Sequence, residues 1–413
     1  MAYSGKMNSA PGNIVFVALV TTVFACMVPT CLAEPLWHIQ IAPSNIIRHA
    51  WYTDSHIWYR HSYPKSVVKI IDVETGQHEA PLTDLPDTWS AHVLQDPRVP
   101  ERVYYVATDT LVYDTVLKSP VRTIQPRMDY RIRPVHYEDN IIFPHGYRSY
   151  QLISIDRQDQ IVWTCQMPGY VMSHPISMGP LMVAQTRGGS YGGQATFAVN
   201  LSDGTILWKD VTNAYGSGAV FAADAQYVYV IEANRWMAPG KAQAHILCRN
   251  ALSGEIIWKC LLDEYHVYHR PLIDTKANLV YFLSDSHGDN RCNRENALFC
   301  FQVPTGELMW MADLTKGISR AASGYSYEPY YPIMQLYKGR ILLLHEDDSI
   351  GVYDPHNGMK LYTLYPESYL PDPPTKRPDN QDSRFLVPPP ILHDKLVLVT
   401  RYHIMALDAK LMF

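Results

Sequence analysis

Charge is scarce in this chain. Asp, Glu, Lys and Arg make up 18% of its 413 residues and leave a net charge of −5, against roughly 25% charged residues in an ordinary soluble domain. There is no basic excess to neutralise phosphates, which argues against DNA or RNA as the partner. Phenylalanine is scarce beside tyrosine, 10 against 29, a bias that suits strands and turn-rich surfaces where a ring packs and its hydroxyl stays wet. No glycine-rich phosphate loop, nucleophile elbow or paired-carboxylate pattern occurs, so nothing in the sequence marks an enzyme. Apolar material is sufficient, at 47%, to build a packed core, which excludes disorder and a collagen-like chain.

Long apolar runs are confined to the N-terminus. Residues Ile14 to Val28 are uncharged, and the apolar stretch ends at Ala33 before Glu34, the form of a secretory signal peptide cleaved after Ala33. Lys6 is the only charge ahead of it, and at about 20 residues the stretch also has the length of an uncleaved anchor. Cys26, preceded by Val23-Phe24-Ala25, is a loose match to a bacterial lipoprotein box. The expectation is an exported protein, secreted or periplasmic, attached to a membrane only through a lipid on Cys26 or an uncleaved signal. Cysteine is sparse too: five remain after Ala33, at 165, 248, 260, 292 and 300. Cys248 and Cys260 flank Ser253-Gly254 almost symmetrically, and a hairpin there would bring them towards disulfide separation. Cys292 and Cys300 can close a second loop; the alternative is five small buried hydrophobes.

A repeat runs through the rest of the chain. An alternating apolar segment is followed by Asp or Asn, a Gly-containing turn and, a few residues on, Trp. It reads Asn200-Leu201-Ser202-Asp203-Gly204 to Trp208, Asn250-Ala251-Leu252-Ser253-Gly254 to Trp258, and Gln302-Val303-Pro304-Thr305-Gly306 to Trp310. Weaker copies start at Asp72, Asp114 (with a degenerate turn), Asp156, Asp354 and Asp408. Seven intervals separate 72 from 408, an average of 48 residues, and β patterning at such a period indicates propeller blades. Each unit carries an earlier strand pair as well, for example Pro175-Ile176 then Leu181-Met182-Val183, giving four strands per blade. Gly supplies the positive φ of a tight hairpin and Trp a large ring to pack between blades, so the tryptophans belong to the core. The eighth unit stops at Phe413 without its Trp strand, whereas Leu36-Trp37-His38 matches Leu207-Trp208-Lys209. The expected fold is an all-β, eight-bladed propeller over residues 34–413, with four-stranded antiparallel blades and the N-terminal strand closing the ring. A seven-bladed ring follows if the Asp114 unit merges with its neighbours.

These phrases, Leu-Ser-Asp-Gly-Thr-Ile-Leu-Trp at 201–208 and Leu-Ser-Gly-Glu-Ile-Ile-Trp at 252–258, resemble the tryptophan-docking motif of quinoprotein-type, PQQ-like β-propellers, over nearly all of residues 35–413. The resemblance implies one of two branches. One comprises PQQ-dependent alcohol and sugar dehydrogenases. The other comprises cofactor-free propellers, including the lipoprotein subunit of the bacterial outer-membrane assembly machine, which binds partner proteins. Alcohol-oxidising members usually carry an adjacent Cys-Cys disulfide and long insertions. This chain has no Cys-Cys dipeptide, and its 380 residues after Ala33 barely exceed eight bare blades. Its size agrees with the cofactor-free branch.

The innermost strands of a propeller line a channel, and the loops entering them converge on one face. Here those strands begin at the recurring Pro, and the residues before it ring the mouth: Arg131, Arg133, His174, Ser217, His269, Arg270, Tyr330 and Tyr331. Arginines and histidines converging there would receive a carboxylate, a phosphate or an acidic peptide. The structural alternative has them satisfying blade carbonyls and Glu138, Asp139, Asp263 and Glu264. From Trp, or from Tyr362 in its place, to the next inner strand the chain runs 12 residues at 163–175 but 22 at 310–332 and 28 at 362–390. The first insertion holds Arg320, Tyr325, Tyr327, Tyr330 and Tyr331; the second holds Tyr365, Tyr369 and a proline-rich run from Pro371 to Pro390. Tyr and Arg dominate binding hot spots, and prolines reduce the entropy lost on docking. The expectation is a non-catalytic scaffold that binds a protein partner on this Tyr/Arg/Pro-rich rim, with no cofactor and no metal. The alternative, implied by the resemblance, is a PQQ-dependent oxidoreductase or electron-transfer protein, with calcium and with Arg270 and Arg133 meeting the quinone carboxylates. Lectin-like binding by the rim tyrosines is a third reading. Asp285 to Asn290 and the His266/His269 pair read as polar loop and lining rather than as metal sites.

Overall fold

Turn chemistry sets the repeating unit. In five units an Asp, Asn or Gln ends a strand or directly follows it, and the glycine four residues later takes a φ of +70 to +76° (Gly76, Gly204, Gly254, Gly306, Gly358). Each glycine N–H donates to the carbonyl of the strand-ending residue, as Gly254 does to Asn250 and Gly306 to Gln302, both at 2.9 Å. The strand-ending side chain holds the turn as well: Asp72 Oδ1 accepts from the N–H and the hydroxyl of Thr75, and Asn250 Oδ1 from the N–H groups of Leu252 and Ser253. The chain reverses within five residues, and the apolar segments on either side pair as hairpins.

The computed structural model describes residues 35–41, 47–52, 55–61, 67–79, 81, 92–95, 102–106, 110–114, 119–124, 134–145, 150–171, 175–187, 194–212, 219–223, 226–233, 243–263, 271–284, 296–314, 333–345, 347–369, 385, 389–400 and 402–413. Its described strands are β1 (Trp37–Gln40); β2 (Ile47–Tyr52), β3 (His56–His61) and β4 (Val68–Asp72) in the first sheet; β5 (His92–Gln95), β6 (Arg102–Val106), β7 (Thr110–Asp114) and β8 (Ser119–Ile124) in the second; and β9 (Val135–Tyr137), β10 (Asn140–Pro144), β11 (Gln151–Ile155) and β12 (Ile161–Gln166) in the third. The fourth sheet holds β13 (Tyr170–Val171), β14 (Ile176–Met178), β15 (Leu181–Arg187), β16 (Gln194–Asn200) and β17 (Ile206–Thr212), its innermost position shared by two short strands that both pair with β15. The fifth holds β18 (Ala219–Ala223), β19 (Tyr227–Ala233), β20 (Gln243–Asn250) and β21 (Ile256–Asp263), and the sixth β22 (Leu272–Asp274), β23 (Leu279–Ser284), β24 (Ala297–Gln302) and β25 (Leu308–Asp313). The seventh holds β26 (Met334–Tyr337), β27 (Arg340–Leu344), β28 (Ile350–Tyr353) and β29 (Lys360–Leu364), and the eighth β30 (Ile391–Leu392), β31 (Lys395–Val399) and β32 (His403–Asp408). The sheets are antiparallel meanders, an all-β architecture of the propeller class. The Asp114 unit does not merge with its neighbours: β5 to β8 form a four-stranded sheet of their own. β1 leaves its sequence neighbours and adds to the eighth sheet, with Trp37 opposite Ala406 and Gln40 opposite His403. Among the described residues no helix is long and apolar enough to cross a membrane.

Burial follows strand position. β23, β24, β27, β28, β31 and β32 are apolar and buried nearly throughout, because both faces of a middle strand meet a neighbouring sheet. The buried clusters run across sheet boundaries. Phe197 and Val199 join Ile142 and Leu152; Phe282 and Phe299 join Tyr229 and Ile246; Leu396 and Met405 join Leu342 and Val352; and Ile57 and Ile71 of the first sheet join Val397 and Ile404 of the eighth.

Tryptophans stitch successive sheets together. Trp163 Nε1 donates to Leu201 O at 3.0 Å, Trp208 to Ala251 O at 2.8 Å, Trp258 to Val303 O at 2.7 Å and Trp310 to Pro355 O at 3.0 Å. Each acceptor opens the next unit's turn, and each ring lies flat on that turn's glycine. Trp37 makes the same contact from β1 to Val73 O at 3.1 Å, joining the eighth sheet to the first. In the seventh sheet Tyr362 takes the tryptophan's place and donates to Met412 O at 3.1 Å. Met412 lies in α1 (Ala409–Met412), a turn of helix capped by Asp408 where five other units have a glycine turn. Buried Arg249 of β20 bridges the fourth and fifth sheets, donating to Asp210 of β17 and to Gly254 O.

The seam between β1 and β32 carries a titratable pair. His38 Nε2 lies 3.0 Å from His403 Nδ1, with the rings stacked at 5.2 Å. A shared proton fits between these nitrogens, but two imidazolium charges so close would repel. Burial lowers the pKa of His38, and burial together with Lys69 lowers that of His78 in the first sheet. A histidine whose folded pKa lies below its unfolded 6.5 contributes stability that is complete above that value and lost as pH falls through the folded one. The melting temperature is therefore expected to fall between pH 7.5 and pH 5, and His38→Gln should flatten that slope; calorimetric scans across the range measure both.

Candidate functional site

The inner strands begin where the recurring proline indicates, at Pro134, Pro175, Pro271 and Pro390. Every residue expected at the mouth and on the first insertion lies outside the described residues: Arg131, Arg133, His174, Ser217, His269, Arg270, Arg320, Tyr325, Tyr327, Tyr330 and Tyr331. The cysteines at 26 and 292, the loop 285–290 and His266 do too. The second insertion is described at its two ends. Tyr365 is exposed, Pro366–Tyr369 forms a 3₁₀ turn closed by Ser368 N–H to Tyr365 O at 2.9 Å, and Tyr369 packs against the core of the last two sheets. On the return, Phe385 is buried and bridges to Thr400. Gln335 then clamps the chain, donating from Nε2 to Pro389 O at 2.8 Å and accepting from Ile391 N–H at 3.1 Å. Beneath this clamp a recess lined by Ile333, Gln335, Leu344 and Pro389 has room for about one water molecule.

A second surface emerges on the outermost strands. Ile161 and Val162 of β12, Leu207 and Val211 of β17, Ile256 and Ile257 of β21, and Leu308 and Met309 of β25 are all exposed, between 41% and 54%. These strands are sheet edges, so apolar side chains and open backbone groups lie together there. The signal was present in the sequence as two consecutive apolar residues before each tryptophan, of which a packed unit uses only the ring.

The first sheet departs from the repeat. His56 opens β3 opposite Asp72, which ends β4, and the chain beyond the turn returns as a bridge at His78 and brings Glu79 N–H to Ile70 O at 3.0 Å. His56 Nε2 sits 2.8 Å from Glu79 Oε1, and its Nδ1 lies 2.8 Å from Ser55 Oγ. Donor atoms of His56, Asp72 and Glu79 all fall within 4.8 Å of one another, and Glu79 is exposed. Burial acts to raise the Asp72 carboxyl, but the Thr75 N–H and hydroxyl and the charge of His56 outweigh it and hold the group below its ordinary value. No sequence motif marks this cluster, because its three members are spread over 24 positions and only sheet pairing assembles them.

The proposed Cys248–Cys260 bridge does not form. Register sets Cys248 opposite Trp258 and Cys260 opposite Ile246, with a bulge between Cys248 and Arg249. Two residues of strand, about 7 Å, therefore separate the sites that would have to meet. Both remain thiols, as do Cys165 and Cys300. Burial raises the thiol pKa of Cys165, of Cys260 and, to about 12, of Cys300, so these cysteines are protonated and act as small hydrophobes.

Comparison with known proteins bears on the fold. No protein-family model matches the chain, and no curated protein matches it in sequence. Among solved structures it is similar to the computationally designed Ika8 protein, at TM-score 0.60 and 10% identity over 91% of this chain and 99% of that one. It is also similar to BamB from Moraxella catarrhalis, at TM-score 0.50 and 13% identity over 76% of this chain and 84% of that one. At such identities the likeness is one of fold.

Proposed function

We propose that this protein is an exported β-propeller that acts as a non-catalytic scaffold and holds a protein partner on its Tyr/Arg/Pro-rich rim. In this reading the eight sheets are eight blades, β1 closes the ring, and the chain works in the periplasm or at the outer membrane without a cofactor. The observation that carries the proposal is the propeller fold shared with BamB. It agrees with the cofactor-free, partner-binding branch, one of the two branches of the propellers that the repeated phrases resemble. The two long insertions supply the surface, with Arg320, Tyr325, Tyr327, Tyr330 and Tyr331 on one and exposed Tyr365 on the other. Arg131, Arg133, His174, His269 and Arg270 at the mouth would favour an acidic segment of the partner.

Capture from extract of the native cell by the immobilised chain tests this reading. Tyr327→Ala with Tyr331→Ala should leave the melting temperature unchanged and weaken retention of the partner by about tenfold or more, as loss of two aromatic anchors predicts. Undiminished capture would remove the rim from the interface. Calorimetric titration with PQQ and calcium separates the two branches: no heat is expected, and micromolar binding with dye-linked turnover would move the protein to the dehydrogenases.

A further inference from the structure

We propose that His56, Asp72 and Glu79 of the first sheet bind one divalent first-row transition-metal ion. The donors are an imidazole nitrogen and two carboxylates within 4.8 Å of one another, a set suited to Zn2+ and its neighbours, with a fourth position left to water. Two carboxylate charges beside a neutral imidazole match a doubly charged ion. The supporting group is in place: Ser55 Oγ at 2.8 Å from Nδ1 orients the ring and keeps Nε2 on the side of the carboxylates.

The sister units show that a blade does not need this combination. Opposite the strand-ending residue, where the first sheet has His56, others have Leu181, Tyr227, Leu279 and Lys395. At the third residue after the turn glycine, where the first sheet has Glu79, they have Leu207, Ile257, Met309 and Leu361. Asp72 is the member that the fold itself demands. Its Oδ1 is tied to Thr75, which fixes the carboxylate, and a carboxylate has lone pairs to spare for a metal. The first sheet has thus placed two further ligands beside a carboxylate that was already rigid.

The movement required is bounded: no two donors, all within 4.8 Å, need to close by more than about 1.5 Å. Ligand atoms around a tetrahedral ion with bonds near 2.0–2.1 Å stand about 3.3 Å apart. His56 Nε2 and Glu79 Oε1, now sharing a proton at 2.8 Å, need to separate by only about half an ångström as the metal replaces that proton. Glu79 is at the surface, with 43% of its side chain exposed against 21% for His56, so it can swing out while the ion enters.

Titration calorimetry of the full chain with ZnCl2, beside melting curves with and without the metal, tests the site. Two variants keep the fold while removing a ligand: Asp72→Asn reproduces the residue that Asn200 and Asn250 use in the same turn, and Glu79→Gln retains an acceptor for His56. The wild type is expected to bind one equivalent of Zn2+ more than either variant, or to bind it at least tenfold more tightly, and Zn2+ should raise the melting temperature of the wild type alone. Identical isotherms and identical melting shifts for wild type and variants would overturn the proposal and leave the cluster as an ion pair.

Discussion

Gly306→Ala is expected to destabilise the protein by about 2–5 kcal/mol, the sum of a left-handed backbone penalty of roughly 1–2 and an overpacking cost of roughly 1–3. Its φ is +71°, and a methyl group there would stand 2.5 Å from Cδ2 of Trp258, the ring that spans from the fifth sheet to the turn of the sixth. The ring cannot withdraw, because Trp258 is buried against Phe301 and Tyr229 and its Nε1 is bonded to Val303 O. Gly179→Ala is the control. Gly179 also has a positive φ, +55°, but nothing lies within 4 Å of a methyl group placed there, so only the backbone penalty of about 1–2 kcal/mol applies. Urea unfolding of the two variants measures the difference, which isolates the tryptophan contact. Equal losses would mean that the rings do not press on the turns.

Deleting residues 34–41 is the second large effect, and it tests closure of the ring. β1 supplies the outer strand of the eighth sheet, with flanking bonds from Leu36 N–H to Ala406 O and from Ile41 N–H to Tyr402 O. Trp37 and Ile39 pack into the cluster shared by the first and eighth sheets, and Trp37 bonds Val73 O. Removal of the strand bares β32 as a fresh edge and leaves Gly76 without its covering ring, so the melting temperature should drop sharply and self-association should rise. Trp37→Ala is the milder form, at about 3 kcal/mol, the low end for a core tryptophan since its ring is only half-buried. Thermal scans and size-exclusion chromatography read both variants. A negligible change would show that the eighth sheet stands without β1.

The metal proposal and the scaffold proposal fail separately. The former rests on the first sheet alone and is read by Zn2+ heat, while the latter rests on the rim and is read by partner capture. Neither result depends on the other.

How far the sequence could be read follows from the range of each interaction. The turns were legible because their chemistry is local: Asp72 with Thr75 and Gly76, or Asn250 with Ser253 and Gly254, complete their bonds within five residues. The strands were legible because a middle strand buried on both faces must be a continuous apolar run, as in Leu279-Val280-Tyr281-Phe282. Even the strand that leaves its neighbours could be found, since Leu36-Trp37 carries the phrase that the eighth unit lacks. Other features were settled only when the sheets came together. Cys248 and Cys260 looked symmetrical about a turn, but the ladder is centred near Ser253, so Cys248 faces Trp258 and falls two residues short of Cys260 even with the bulge beside it. The apolar pairs before the tryptophans have no burial assigned by their spacing; an outermost strand has one neighbour in its sheet and presents them to solvent. His56, Asp72 and Glu79 carried no motif spacing, because cross-strand pairing brings together residues that the chain keeps 7 and 16 positions apart. The sequence by itself determined the repeat, the turns and the strand polarity, all governed by contacts a few residues long. The tertiary structure decided which turn each tryptophan covers, which face stays open and which side chains share a site, because those depend on how one sheet is stacked against the next.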